Sequence, residues 1–230
     1  MRLLSTAAAI LIAPGIASAH DFWVERGGDA FVVRYGHRGG EVLAIEGAKV
    51  KAVRCADRSG AARDIPIAQL GFEPKEVKVP VRCDAISAFH HSGFYSLTPD
   101  GEVNLPRNKA ENAVKAWESR QFAKWVEVGS PAITRPLGDE LEIVPATDLS
   151  GRKVGDKVTL KVLSQGKPVA GAIVAIDHKP LGETDSAGEA RIRLRSQGVE
   201  SVSASIRRSV KTPEADDLVL EASLAFEVAR

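Results

Sequence analysis

The chain has one methionine, two cysteines and only 5% aromatic residues among its 230. Beyond residue 19 no apolar run approaches the ~18 residues that cross a bilayer as a helix, so no membrane span is expected there. Neither charge sign dominates: 31 Lys and Arg stand against 30 Asp and Glu. Removing Arg2 makes the balance equal. That excludes the basic surface of a nucleic-acid-binding protein and a polybasic membrane anchor. Catalytic signatures are missing too. There is no G-x-S-x-G elbow, no phosphate-cradling glycine loop, and no H-E-x-x-H or C-x-x-C spacing. No carboxylate pair is singled out by spacing, so an enzyme is not expected and no catalytic residue is assigned.

What is present begins at the N-terminus. Arg2 provides a positive start, Leu3 to Ile16 are mostly apolar, and Ala17-Ser18-Ala19 is the small-x-small pattern accepted by signal peptidase. Residues 1–19 are therefore expected to be a cleaved signal peptide. The exported chain, expected in the periplasm, would begin at His20. An N-terminal histidine offers an amine and an imidazole on one residue, a chelating pair for a transition metal. Cys55 and Cys83 are expected to form a disulfide in an oxidising compartment; the alternative is a pair of soft metal ligands.

Short β-rich runs separated by turn signals continue to about residue 98. With Gly27-Gly28 as a two-residue loop, the first hairpin pairs Trp23 with Val32, Asp21 with Arg34 and His20 with Tyr35. Phe22, Val24, Phe31, Val33 and Tyr35 then share an apolar face, and Asp21 opposes Arg34 as an ion pair on the other. His20 and His37 become diagonal neighbours on the core face, ~7 Å apart at Cβ, close enough to share a metal. His90 and His91 are expected to flank a second hairpin turn. As adjacent strand residues they face opposite ways, so at most one easily joins His20 and His37. His178 is expected to be solvated surface.

Residues 108–127 read as a helix, with Asn108 as its cap and Ala110, Ala113, Val114, Trp117 and Trp125 in one stripe. Strands return from about residue 139. The expected architecture is mainly β. An Ig-like N-terminal sandwich (20–104) carries the metal site, a helical connector follows (105–135), and a second sandwich ends the chain (136–230). Gly166-Lys-Pro-Val-Ala-Gly-Ala and Thr184-Asp-Ser-Ala-Gly188 make that second sandwich resemble the prealbumin-like, carboxypeptidase-regulatory type.

Taken in order, Ala19-His-Asp-Phe-Trp-Val-Glu25, Tyr35-Gly-His37, Pro136-Leu-Gly-Asp-Glu-Leu-Glu-Ile-Val-Pro145, Gly155-Asp-Lys-Val158 and the two second-half turns resemble the exported NikK-like accessory family of nickel and cobalt uptake, formerly a family of unknown function. The resemblance covers almost the whole exported chain. It implies an extracytoplasmic protein that captures Ni²⁺ or Co²⁺ for a membrane transporter, with His20 and His37 as the motif residues that bear ligands; His90 or His91, which belong to no motif of the resemblance, are expected to complete the set. Nitrogen ligands suit Cu²⁺ and Zn²⁺ as well. One alternative is a copper protein with a histidine brace, either chaperone or oxidative enzyme. Another is a metal-free module binding a protein or carbohydrate through Trp23, Trp117 or Trp125.

Overall fold

The computed structural model describes residues 20–229, so the expected signal peptide and its cleavage point lie outside the described residues. Among those residues the chain is mainly β, and no helix reaches 7 residues. The first part contributes β1 (Asp21–Gly27), β2 (Ala30–Gly36), β3 (Val50–Ala56), β4 (Ala62–Asp64), β5 (Gly71–Glu73), β6 (Glu76–Val79), β7 (Ala85–Thr98) and β8 (Gly101–Val103). β9 (Lys115–Val126) crosses the middle of the molecule. After it come β10 (Glu142–Pro145), β11 (Lys157–Ser164), β12 (Lys167–Pro168), β13 (Ile173–Ile176), β14 (Lys179–Glu183), β15 (Glu189–Arg193), β16 (Gly198–Ser209) and β17 (Asp217–Val228).

One long sheet, ordered β14-β13-β16-β17-β9-β7-β3-β4 with β8 beside β7, runs through both expected lobes. A small sheet, β1-β2-β6-β5, covers part of one face, and β10-β11-β12 with β15 packs on the other. The expected helical connector is therefore corrected: 115–126 is a strand, and within 105–135 only two short 3-10 turns are helical, Arg107–Lys109 and Pro131–Thr134. β9 pairs antiparallel with β7 and parallel with β17. Both of its faces are buried toward its end, where Ala123 and Trp125 face the small sheet and Phe122 and Val126 the other core. A strand covered on both sides has no visible alternation, so a chance helical stripe dominated the sequence pattern.

β17 shows what the long sheet does at its two faces. Leu218, Leu220, Ala222 and Leu224 enter one core, whereas Asp217, Val219, Glu221 and Ser223 alternate to the opposite side. There the small sheet covers only the end at Ile86, Trp125 and Ala225. The uncovered part of that face is polar.

Cys55 and Cys83 are bonded, with Cα atoms 5.4 Å apart, tying β3 to the segment ahead of β7. Closing a loop of this length stabilises by about 3 kcal/mol through the unfolded state. A second tie lies in the other core. Lys124 and Glu142 are both fully buried, with Nζ 3.1 Å from Oε2. Lys124 also donates to the Arg135 carbonyl at 2.9 Å, and Glu142 accepts from the backbone N–H groups of Leu137 and Gly138. The Pro136–Glu142 motif is thus a loop folded around its own carboxylate. Beside it, burial pushes the Asp139 carboxyl up to about 6, even though its Oδ1 accepts from Arg54.

Two predictions follow from these buried charges. Glu142→Ala should destabilise the fold by about 3–5 kcal/mol in urea unfolding, because it strands the Lys124 ammonium. Lys124→Met combined with Glu142→Gln should cost clearly less; an equal loss would show that the pairing is not the cause. Asp139 behaves in the opposite sense to a paired carboxylate. Its raised native pKa means the native state keeps a proton that the unfolded chain releases, so stability falls as pH rises from about 4 to 6. Asp139→Asn should therefore gain stability over the parent at pH 7.5 and not at pH 4.

Candidate functional site

The first hairpin brings the candidate ligands together through a register other than the expected one. Gly27 pairs with Ala30, leaving Gly28-Asp29 as the loop, with Gly28 at φ 67°. A positive φ at the first central residue suits glycine in a tight hairpin. The alternative Gly27-Gly28 loop is displaced by one residue. Trp23 consequently opposes Arg34, Phe22 opposes Tyr35 and Asp21 opposes Gly36. The shift preserves which residues share a face, so Phe22, Val24, Phe31 and Val33 are buried together as expected. It does break the expected Asp21–Arg34 ion pair: Arg34 instead meets Glu25 and Glu76.

Extended by one pair, this register sets His20 directly opposite His37, not diagonal to it. Their ring centroids are 5.0 Å apart. Three contacts hold that end of the hairpin. The Asp21 carboxylate accepts from the Arg38 backbone N–H at 2.9 Å, anchoring the chain just after His37. Gln121 on β9 donates its amide to the His20 carbonyl at 2.6 Å. Ser223 on β17 donates to the Phe22 carbonyl at 2.9 Å. Gly36 makes the turn possible: a Cβ there would meet the Glu41 carbonyl oxygen at 2.5 Å. That close approach lets the His37 N–H reach the same oxygen at 2.8 Å, which accounts for the glycine in Tyr35-Gly-His37.

Tyr35 was placed on the core face by the sequence pattern, and its polar end was missed. Its hydroxyl lies 3.1 Å from His20 Nδ1. Burial pushes its pKa up to about 12, so the phenol keeps its proton beside the imidazole. Gln121, Ser92 and Glu221 were missed as well. None has a motif, and only the alternation of β7, β9 and β17 brings them to one face.

His90 and His91 do not flank a hairpin turn. They lie inside the single long strand β7, at a bulge between His91 and Gly93. The two do face opposite ways. His91 Nε2 is 2.9 Å from Glu118, on the side where Arg120 reaches Glu140, and is separated from His20 by the sheet. His90 is buried on the near side, its ring stacked on Phe22 and tilted against Tyr35. Ser92 Oγ spends its proton on Gln121 Oε1 at 2.9 Å, so the His90 Nδ1 contact at 3.1 Å is a donation to Ser92. His90 thus starts a chain through Ser92 and Gln121 to the His20 carbonyl. It supports the site from behind. His178, expected to be solvated, is largely exposed but reaches Asp21 at 3.3 Å from the turn between β13 and β14.

The described residues contain no group of three or more His, Cys, Asp or Glu side chains placed to hold a metal. Two imidazoles converge, and a metal there needs a further donor, which the amine of a processed His20 would supply. The cysteines are committed to their disulfide. Trp23 and Trp125 are buried, which leaves Trp117 as the tryptophan available to a ligand.

A model described as a domain of unknown function, DUF4198, matches residues 17–208. The chain belongs to this DUF4198 family. The match includes His20, His37, β7 and β9, and it assigns no activity. No curated protein matches. A solved structure titled "Structural basis for Dscam isoform specificity" is similar at 10% identity and a TM-score of 0.25. The likeness covers 87% of this chain and 54% of that one, so the chain spans about half its length.

The two adjacent histidines should separate cleanly on substitution. His90→Ala removes a buried stacked ring and should destabilise by about 2–4 kcal/mol, whereas His91→Ala removes a partly exposed contact with Glu118 worth under about 1 kcal/mol. Burial lowers the His90 pKa to about 4. The unfolded chain therefore takes up a proton that the native state refuses, and stability is lost as pH falls from about 6.5 toward 4. Thermal unfolding of His90→Gln should show less acid sensitivity than the parent over that window; parallel profiles would refute the assignment.

Proposed function

We propose that the protein binds a divalent transition metal outside the cytoplasm, nickel or cobalt, and hands it to a membrane uptake system. The observation that carries this reading is the His20–His37 pair, 5.0 Å between rings, at the open end of a hairpin whose carbonyls and loop are held by Gln121, Ser223 and Asp21. Cleavage after Ala19 adds a third nitrogen on His20 itself; chelation through that amine and the imidazole uses Nδ1, so the Tyr35 hydroxyl 3.1 Å from that atom turns aside when metal binds. The sequence resemblance to the NikK-like family and the disulfide, which suits an oxidising compartment, support the same reading.

Copper is the second reading. It binds nitrogen sites more tightly than nickel, and the Tyr35 hydroxyl adds an oxygen next to His20 Nδ1. Titrations with Ni²⁺, Co²⁺, Cu²⁺ and Zn²⁺, together with copper spectra and an oxidase assay, separate the two.

Metal affinity should depend on the free amine. In calorimetric titration of protein beginning at His20, one added N-terminal residue should weaken nickel binding at least tenfold, and so should His37→Ala. His178→Ala should leave it within about twofold. Metal displaces protons from the amine and imidazoles, so affinity should fall as pH drops from about 8 toward 5. Equal affinity in the extended, His37→Ala and parent proteins would falsify the site.

A further inference from the structure

A bare ion held by His20 and His37 needs no cavity, yet one opens beside His20. A cleft of about 380 Å³ begins at His20 and Tyr35 and runs over the uncovered polar face of the long sheet. Its size falls at the lower end of small-molecule sites. Tyr95 and Trp117, directly opposed across β7 and β9, form an aromatic wall, their rings nearly parallel at 14°. Arg207 comes across from β16 to lie over Trp117, 5.7 Å from the ring centroid.

The charges of the cleft are mixed. Lys49 and Arg207 contribute two cations; Glu46, Glu102 and Glu221 contribute three carboxylates. Lys49 pairs with Glu46 at its rim and Arg207 with Asp217 behind it. Burial raises the Glu221 pKa, and that carboxylate sits at the His20 end, 3.4 Å from the Gln121 amide. A polycarboxylate would face more acids than bases. A ligand with a single carboxylate and an amine brings less negative charge into it.

We infer that the metal is taken as a complex with a small zwitterionic chelator of the amino-acid type, whose organic part fills the cleft beside Trp117. This rests on the metal reading above. The coordination chemistry agrees. The amine and imidazole of His20 and the imidazole of His37 supply three nitrogens, and a divalent first-row ion that takes about six ligands keeps about three positions for a co-ligand. The amine and carboxylate of an amino acid bind such positions, which leaves its side chain to run along the cleft toward Trp117 and Arg207, both of which line it. No bond other than metal coordination forms or breaks.

The test is equilibrium dialysis of protein beginning at His20 against labelled L-histidine, with and without Ni²⁺. Labelled citrate with Ni²⁺ is a separate arm, and nickel is measured in each. The expected result is about one histidine retained per protein when nickel is present and at least tenfold less without it. Citrate should not be retained. Trp117→Ala and Arg207→Gln should each lose histidine retention at least tenfold while binding nickel alone as the parent does. Arg207 is half exposed, so its variant keeps the test valid if Trp117→Ala fails to fold. In the arm holding both, nickel retained with no histidine beside it, citrate retained in the citrate arm, or unchanged histidine retention in a folded Arg207→Gln would overturn the inference and leave the metal reading standing. Failure to retain nickel in any arm would overturn both.

Discussion

The alternation of β9 is the constraint on which both the cores and the site depend. One strand, hydrogen-bonded on both edges, sends Gln121, Ala123 and Trp125 to one side and Arg120, Phe122 and Lys124 to the other. Trp125 and Ala123 support the small sheet that carries His20 and His37. Lys124 reaches through the opposite core to Glu142, and so ties the loop before β10 to the centre of the molecule. A one-residue slip of β9 would bring Arg120 to the face beneath His20, turn Trp125 into the opposite core in place of Lys124 and withdraw Gln121 from His20. Site geometry and fold stability are therefore set by the same register.

The site sits at a margin, where cover over the long sheet stops. The face under β1 is apolar where the small sheet lies on it and polar just beyond. Gln121 stands at the boundary, its amide bonded to the His20 carbonyl and, through Ser92, linked to His90. Behind His20 and His37 the protein thus places a buried, neutral histidine and a protonated phenol. Both are packed against the hairpin, whose end is also held by hydrogen bonds from Gln121, Ser223 and the Arg38 N–H although it faces a cleft. Preorganisation of this kind lowers the ordering cost of binding.

Much of the chain's motif content turns out to be structural. Gly36 admits a close carbonyl at the turn after β2. Thr184 Oγ1 accepts from Ala172 N–H and donates to the Val169 carbonyl, while Asp185 accepts from the N–H groups of Ala187 and Glu189. Glu142 gathers the backbone of its own loop. These residues meet local hydrogen-bond demands, which is why they are recognisable as short patterns. The residues that surround His20 meet long-range demands and carry no pattern.

The sequence by itself determined the mainly β character, the shared apolar face of the first hairpin, the pairing of Cys55 with Cys83 and the opposite orientation of His90 and His91. All four follow from local geometry: a period of two, turn chemistry, and a single pair of thiols. Tertiary structure decided the rest. It chose Gly28-Asp29 over Gly27-Gly28 as the loop, a choice both registers allow locally, because Arg34 then reaches Glu25 and Glu76. It made 115–126 a strand, since burial on both faces erases the alternation that would have announced it. It also assembled Gln121, Tyr35, Ser92 and Glu221 around His20 from four separate strands, a proximity that only sheet register can create.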